Sequence, residues 1–187
     1  MNATMNATMP MLARVYEPRK TPLAFPLGVQ RKYDGFRLCW DGYQARSRSG
    51  MILSVPLHIL AELQRVAPGV PLDGELYRHG LTLGQVASLV TNRSRASDTT
   101  LRYVVFDCPS DEPFAARYAR LQAMASNWSA EAMELAPLDV AQDAAELARF
   151  RTAYLRGGYE GAMIRDLSAA YEPGRSSALL KWKGVGR

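Results

Sequence analysis

Cysteine and histidine are scarce in this sequence, with two of each among 187 residues. Cys39 and Cys108 lie far apart, each inside an apolar, strand-like run. That spacing excludes a disulfide framework or a cysteine-based metal knuckle, and it points to a reducing, cytoplasmic compartment with both thiols in the core. His58 and His79 fall outside every chemical motif and read as surface or helix-face residues, so a histidine metal site is not expected. No stretch reaches the roughly 18 to 20 consecutive apolar residues of a membrane-spanning helix. Nor does a basic region followed by an apolar one mark the N-terminus as a secretion signal. Solenoid-length repeats and the βαβ alternation of dinucleotide-binding folds are absent as well. Acidic residues are in deficit, 18 against 23 basic ones, and the resulting charge of +5 suits a polyanionic partner without selecting one.

What is present is a hydrophobic content of 48%, enough for one sizeable folded body. The opening MNATMNAT, a tandem duplication without apolar periodicity, reads as part of a disordered leader over residues 1–10, ahead of one domain over residues 11–187. Met11 to Gln30 carries Pro18, Pro22 and Pro26 and is expected to run extended over the body. Val29 to Trp40, Gln44 to Arg48 and Met51 to Ser54 read as strands of an antiparallel meander, with turns at Asp41-Gly42 and Ser49-Gly50. A helix is expected after Pro56 with Leu57, Leu60, Leu63 and Val66 on its buried face. Further helices are expected from Leu83 to Thr91, Pro113 to Met124 and Asp143 to Leu155. Val70 to Tyr77, Leu101 to Asp107, Gly161 to Arg165 and Ala178 to Lys183 have strand character. Short strands broken by helices imply an α+β body with mainly antiparallel sheets.

The sharpest chemical signal is KYDGFR, Lys32 to Arg37, in which a lysine ends an apolar strand two residues before an Asp-Gly turn. Such a lysine attacks phosphorus only as the neutral amine. From an ordinary pKa of about 10.4, that requires a depression of roughly three units near neutral pH, about 4 kcal/mol. Burial and neighbouring cations supply such depressions. Arg31, Arg37, Lys181 and Lys183 are the cations on offer, with Asp34 placed to orient the amine. A blander reading makes Asp34-Gly35 a hairpin turn and Lys32 a solvated strand residue. The bare Lys-any-Asp-Gly pattern arises by chance in about 2% of chains of this length, so alone it decides nothing.

Further segments follow it in a fixed order: SRSG (Ser47 to Gly50), LDGELY (Leu72 to Tyr77), YVVFDCP (Tyr103 to Pro109), YEGAMIRD (Tyr159 to Asp166) and ALLKWKG (Ala178 to Gly184). Together with KYDGFR they resemble the motifs of the covalent nucleotidyltransferase superfamily, which comprises ATP-dependent DNA ligases, RNA ligases and capping enzymes. The resemblance runs from Met11, where MLA is similar to a common DNA-ligase opening, to Lys183. It implies an ATP-grasp-like nucleotidyltransferase domain of two antiparallel β-sheets flanked by helices. It also implies that AMP passes from ATP to Lys32, then to a 5′-phosphorylated DNA end, and is displaced by a 3′-hydroxyl at a nick.

Position by position, the resemblance makes Lys32 the nucleophile with Asp34 beside it, and Arg31 one of the cations of the nucleotide pocket. Arg37 and Glu75 would hold the ribose hydroxyls, and Phe106 would stack on the purine. Glu160 would hold Mg²⁺ near the α-phosphate. Lys181 and Lys183 would grip the α-phosphate oxygens from one strand face, with Trp182 turned the other way. Arg48, Arg93, Arg95 and Arg175 are candidates for the nucleic-acid backbone. In the family this core precedes an oligonucleotide-binding barrel with a further motif, whereas this sequence stops at Arg187. The barrel is therefore expected to be missing or supplied separately, with slow adenylylation of Lys32 and incomplete sealing by a monomer acting on nicked double-stranded DNA. The same lysine chemistry would serve an RNA ligase or a GTP-dependent capping guanylyltransferase, and a degenerate relative would only bind nucleic-acid ends.

Overall fold

A computed structural model describes residues 9–91 and 100–184. Alternation of side chains along its strands gives each sheet one face to bury and one left for chemistry. The first five-stranded sheet runs in the order β1 (Met11–Val15), β10 (Gly174–Lys183), β9 (Gly161–Asp166), β2 (Leu27–Lys32) and β8 (Asp139–Ala141). The second runs β4 (Ala45–Arg46), β3 (Phe36–Trp40), β5 (Leu72–Tyr77), β6 (Arg102–Asp107) and β7 (Met133–Leu135). Among the described residues neither sheet closes into a barrel.

Helices cover the outer faces. On the first sheet Leu27, Val29, Ala162, Ile164 and Leu180 pack with Leu147 and Tyr154 of α4 (Ala144–Arg156). That helix begins where the sequence places it, because the Asp143 side chain accepts the Glu146 N–H and Glu146 in turn accepts the Gln142 N–H. On the second sheet Leu38, Trp40, Leu72, Leu76 and Tyr103 pack against α1 (Leu57–Val66), α2 (Leu83–Thr91) and α3 (Phe114–Ala125). The inner faces then meet across a cleft.

Several sequence-based expectations change in three dimensions. The single strand expected over Val29 to Trp40 is two strands in different sheets, broken at Tyr33 to Gly35. The chain crosses between sheets there, and a Cβ at Gly35 would lie 2.2 Å from the Leu76 carbonyl oxygen, so the crossing passes too close to β5 for any side chain. Both sheets are mixed, since β1 pairs parallel with β10 and β6 parallel with β7. The members of each pair are remote in sequence or separated by α3, so no hairpin dictates their direction. Residues of the proline-rich N-terminal stretch form the paired strand β1, and β7 and β8 are too short to show alternation. Met51 to Ser54 contributes only an isolated bridge between Arg46 and Ile52. On α1 the buried positions are Ile59, Glu62 and Leu63, while Leu57 is 68% exposed. Of the expected leader, residues 1–8 lie outside the described residues; Pro10 is buried and its carbonyl accepts the Gly174 N–H, so it belongs to the fold. Both cysteines are free, Cys108 buried and Cys39 partly so.

The sheets are tied together by charge. Asp107 of β6, fully buried, accepts hydrogen bonds from Arg165 of β9 in the other sheet at 2.7 Å and from Arg117 of α3 at 2.7 Å and 3.1 Å. Replacing one member of such a buried network strands the remaining charges without partners. Asp107→Ala is therefore expected to lower folding stability by about 3 to 5 kcal/mol in equilibrium denaturant titration. A loss below about 1 kcal/mol would mean the arginines are solvated in the native state.

Candidate active site

Register on the first sheet sets out one side of the cleft. Lys32 of β2 and Lys183 of β10 both pair with Gly161 of β9, so the two lysines flank that glycine from either side. Gly161 has φ +147°, and an added Cβ would stand 2.2 Å from the Trp182 carbonyl oxygen, so only glycine fits between them. The preceding residue, Glu160, is fixed by its main chain: its N–H donates to the Lys32 carbonyl and its own carbonyl accepts the Gly184 N–H, each at 3.0 Å. Its carboxylate receives both ammonium groups, Lys32 Nζ on Oε2 and Lys183 Nζ on Oε1, the latter at 3.1 Å. Burial pushes the Glu160 carboxyl up, but the hydrogen bonds and charges of Lys32 and Lys183 outweigh it and hold it below the usual range. Lys181 is depressed by burial first, then by the charges of Lys183, Lys32, Arg175 and Arg48. Four cations therefore lie within electrostatic reach of Lys181, a field suited to an anion.

The second sheet supplies the other side. Arg37 of β3 pairs in register with Glu75 of β5, which pairs with Val104 of β6, two residues from Phe106. Arg37 Nε and Nη2 clasp the Asp73 carboxylate at 2.6 and 2.5 Å, and its guanidinium carbon lies 4.7 Å from the centre of the Phe106 ring. Glu75 is half-buried, and its carboxyl is pushed up to about 7, by desolvation chiefly, against the lowering influence of Arg37 and Lys32. That influence also shows Lys32 to be within electrostatic reach of Glu75 across the cleft. Arg165 of β9, in the first sheet, donates to Gln30 Oε1 at 2.8 Å, and its guanidinium carbon lies 5.5 Å from the centre of the Phe106 ring of β6.

The fold thus gathers Lys32, Arg37, Glu75, Phe106, Glu160, Lys181 and Lys183 around one cleft, with the exposed Arg48 and Arg175 beside the lysines. Trp182 does turn the other way, edge-on to Tyr16 with ring centres 5.0 Å apart. Arg31 and Asp34 are not brought into the lysine cluster. Arg31, one strand position from Lys32, takes the opposite face and lies 5.1 Å over the Tyr159 ring. Asp34 makes no hydrogen bond to the Lys32 amine among the described residues, and its charge acts on Tyr77 instead. Arg93 and Arg95 lie outside the described residues. No group of three or more His, Cys, Asp or Glu able to hold a metal occurs among the described residues. A single partly buried carboxylate such as Glu160 fits a Mg²⁺ ion that takes most of its remaining ligands from phosphate and water.

Sequence reasoning passed over Asp73, Asp107, Arg165, Gln30, Arg117 and Tyr171. The first three sit within the quoted motifs, and a charged residue near the end of an otherwise apolar strand run is the signal that marks them. Arg117 and Tyr171 carry no such signal, because their partners come from distant parts of the chain.

Residues 10–183 match the protein family described as ATP dependent DNA ligase domain. The sequence is 28% identical over 156 residues to a DNA ligase of Haemophilus influenzae, covering 83% of this chain and 57% of that protein. It is 29% identical over 110 residues to a DNA ligase of African swine fever virus, covering 56% of this chain and 26% of that one. The chain therefore spans little more than half the length of the first relative and about a quarter of the second. The fold is similar to that of a Chlorella virus DNA ligase-adenylate, with a TM-score of 0.83 at 23% identity over 95% of this chain and 68% of that one. It is also similar to a structure from a study of DNA binding by the minimal scaffold of Lig E DNA ligases, with a TM-score of 0.80 at 24% identity over 94% and 68%. Since the family match takes in every strand that lines the cleft, the chain belongs to the ATP-dependent DNA ligase domain family.

Proposed function

We propose that this domain takes AMP from ATP onto Lys32 and passes it to the 5′-phosphate at a DNA nick. The reading is carried by one observation: the Lys32 amine sits on Glu160 with Lys183 on the same carboxylate and Lys181, Arg48 and Arg175 within electrostatic reach. The triphosphate of ATP enters this field with its α-phosphorus beside Lys32. Once the Lys32 ammonium has released a proton to water, the amine forms a nitrogen–phosphorus bond while the bond to the bridging oxygen breaks, pyrophosphate leaves with that electron pair, and the attacking nitrogen gives its surplus proton to water. Lys181 and Lys183 hold the non-bridging oxygens as charge redistributes in the transition state. Glu75 accepts from a ribose hydroxyl, Arg37 donates to the ribose, and Phe106 offers its ring to the purine. Mg²⁺ held at Glu160, when bound, neutralises phosphate charge. The exposed Arg48 and Arg175 take the phosphates of the nicked duplex, a contact that weakens as salt rises.

Lys32→Ala is expected to abolish covalent incorporation of an adenylyl group, read as intact mass after incubation with ATP and Mg²⁺. A Lys32→Ala chain that still gains that mass rules the assignment out. A second expectation concerns Glu75. The folded chain keeps its proton up to about pH 7, whereas the unfolded chain releases it near the ordinary value of 4.5. This residue's contribution to stability therefore falls as pH rises through that interval. Glu75→Gln should gain thermal stability relative to the parent between about pH 5 and pH 8, and a difference that stays flat over the interval would place the carboxylate in water.

A further inference from the structure

Arg37 has little freedom left. Nε and Nη2 are bound to the two Asp73 oxygens, Nη2 also reaches the Met11 carbonyl at 3.2 Å, and the plane lies over Phe106. Nη1 is the nitrogen without a hydrogen-bond partner among the described residues, so its aim follows from the Asp73 carboxylate. Asp73 is 1% exposed, and its Oδ2 accepts a second bond at 2.6 Å from the hydroxyl of Tyr171, in the connection between β9 and β10. The same hydroxyl accepts the Met11 N–H at 2.9 Å, so its one proton is committed to Asp73. Tyr171 is itself held: its N–H donates to the Ser110 carbonyl at 3.2 Å, and Arg117 lies 5.7 Å over its ring. A phenol from the first sheet's connection thereby fixes a carboxylate of the second, and that carboxylate fixes Arg37.

We propose that Tyr171 is a positioning residue for nucleotide recognition, setting the domain's preference for a ribose hydroxyl by holding Asp73 and thereby aiming Arg37 Nη1. It touches neither nucleotide nor reacting atoms. Without its hydroxyl, Asp73 Oδ2 loses a donor and the buried Met11 N–H loses its acceptor, and both the carboxylate and the N-terminal strand that braces Arg37 are released. Purely local destabilisation would weaken binding of every adenine nucleotide alike. Loss of aim weakens only those that carry the hydroxyl Arg37 meets.

The inference rests on the assignment of Arg37 to the ribose in the reading above, and equilibrium binding tests it apart from transfer to Lys32. ATP, 2′-deoxyATP and 3′-deoxyATP are titrated calorimetrically into the parent chain and Tyr171→Phe without divalent cation, while incorporation on Lys32 is followed separately by mass. The parent should bind ATP better than one of the deoxy analogues by about 10- to 100-fold, the worth of one hydrogen bond to a charged donor. In Tyr171→Phe that preference should shrink toward unity through loss of ATP affinity, with affinity for the disfavoured analogue unchanged. A preference equal to the parent's, or a parent that binds all three alike, overturns the proposal. Should Tyr171→Phe not fold, Asp73→Asn decides, because that carboxylate holds Arg37 Nε and Nη2 directly; an undiminished ribose preference there overturns it equally. Failure of the parent to label on Lys32, with the binding pattern intact, would instead count against the catalytic reading alone.

Discussion

A carboxylate with no access to water, Asp107, holds two arginines, one from the facing sheet and one from the helix behind its own. Charges taken that far out of solvent are tolerated only when each is met by an opposite charge in good geometry. Arg165 meets the condition from the first sheet and, with its remaining reach, fixes the Gln30 carboxamide and flanks Phe106. The closed end of the cleft is therefore built by the bond that joins the two halves of the molecule. The spacing between Lys32 on one side and Glu75 and Phe106 on the other depends on it.

The open end is governed by repulsion. Lys32, Lys181, Lys183, Arg48 and Arg175 converge on a region where Glu160 is the carboxylate that two of them touch. Two ammonium groups on one carboxylate leave a net positive charge at that point. A polyphosphate relieves that imbalance, and binding it returns electrostatic energy that the fold has already spent in bringing the cations together. The second sheet is arranged oppositely: its guanidinium is paired through Nε and Nη2 with the Asp73 carboxylate, and the Glu75 carboxyl is pushed up to about 7, chiefly by desolvation. Under the proposed function, phosphate and sugar would meet surfaces of different electrostatic character, each built from alternate positions of its own strands.

That alternation explains why so much of the site could be read along the chain. Lys181 and Lys183 share a face because strands repeat every two residues, and Trp182 enters the core for the same reason. Gly161 and Gly35 are required by backbone approach and sit inside motifs whose order signals them. Arg31 shows the limit of the same logic. Counted among the cations of the pocket by proximity in sequence, it is carried by the strand to the other face and packs on Tyr159. Asp34 shows another limit, since the chain leaves the first sheet at that point and no hydrogen bond joins its carboxylate to the Lys32 amine among the described residues.

The sequence by itself determined the family resemblance through its motif order, most of the helices and longer strands, and which residues share a strand face. These follow from local periodicity and covalent neighbourhood, which linear order preserves. Only the tertiary structure decided that one glutamate serves two lysines, that Asp107 and Arg165 close the cleft, and that Tyr171 governs Asp73. Those contacts join residues from 23 to 128 positions apart, and their energies depend on burial and on a few tenths of an ångström, quantities that exist only once both sheets have packed.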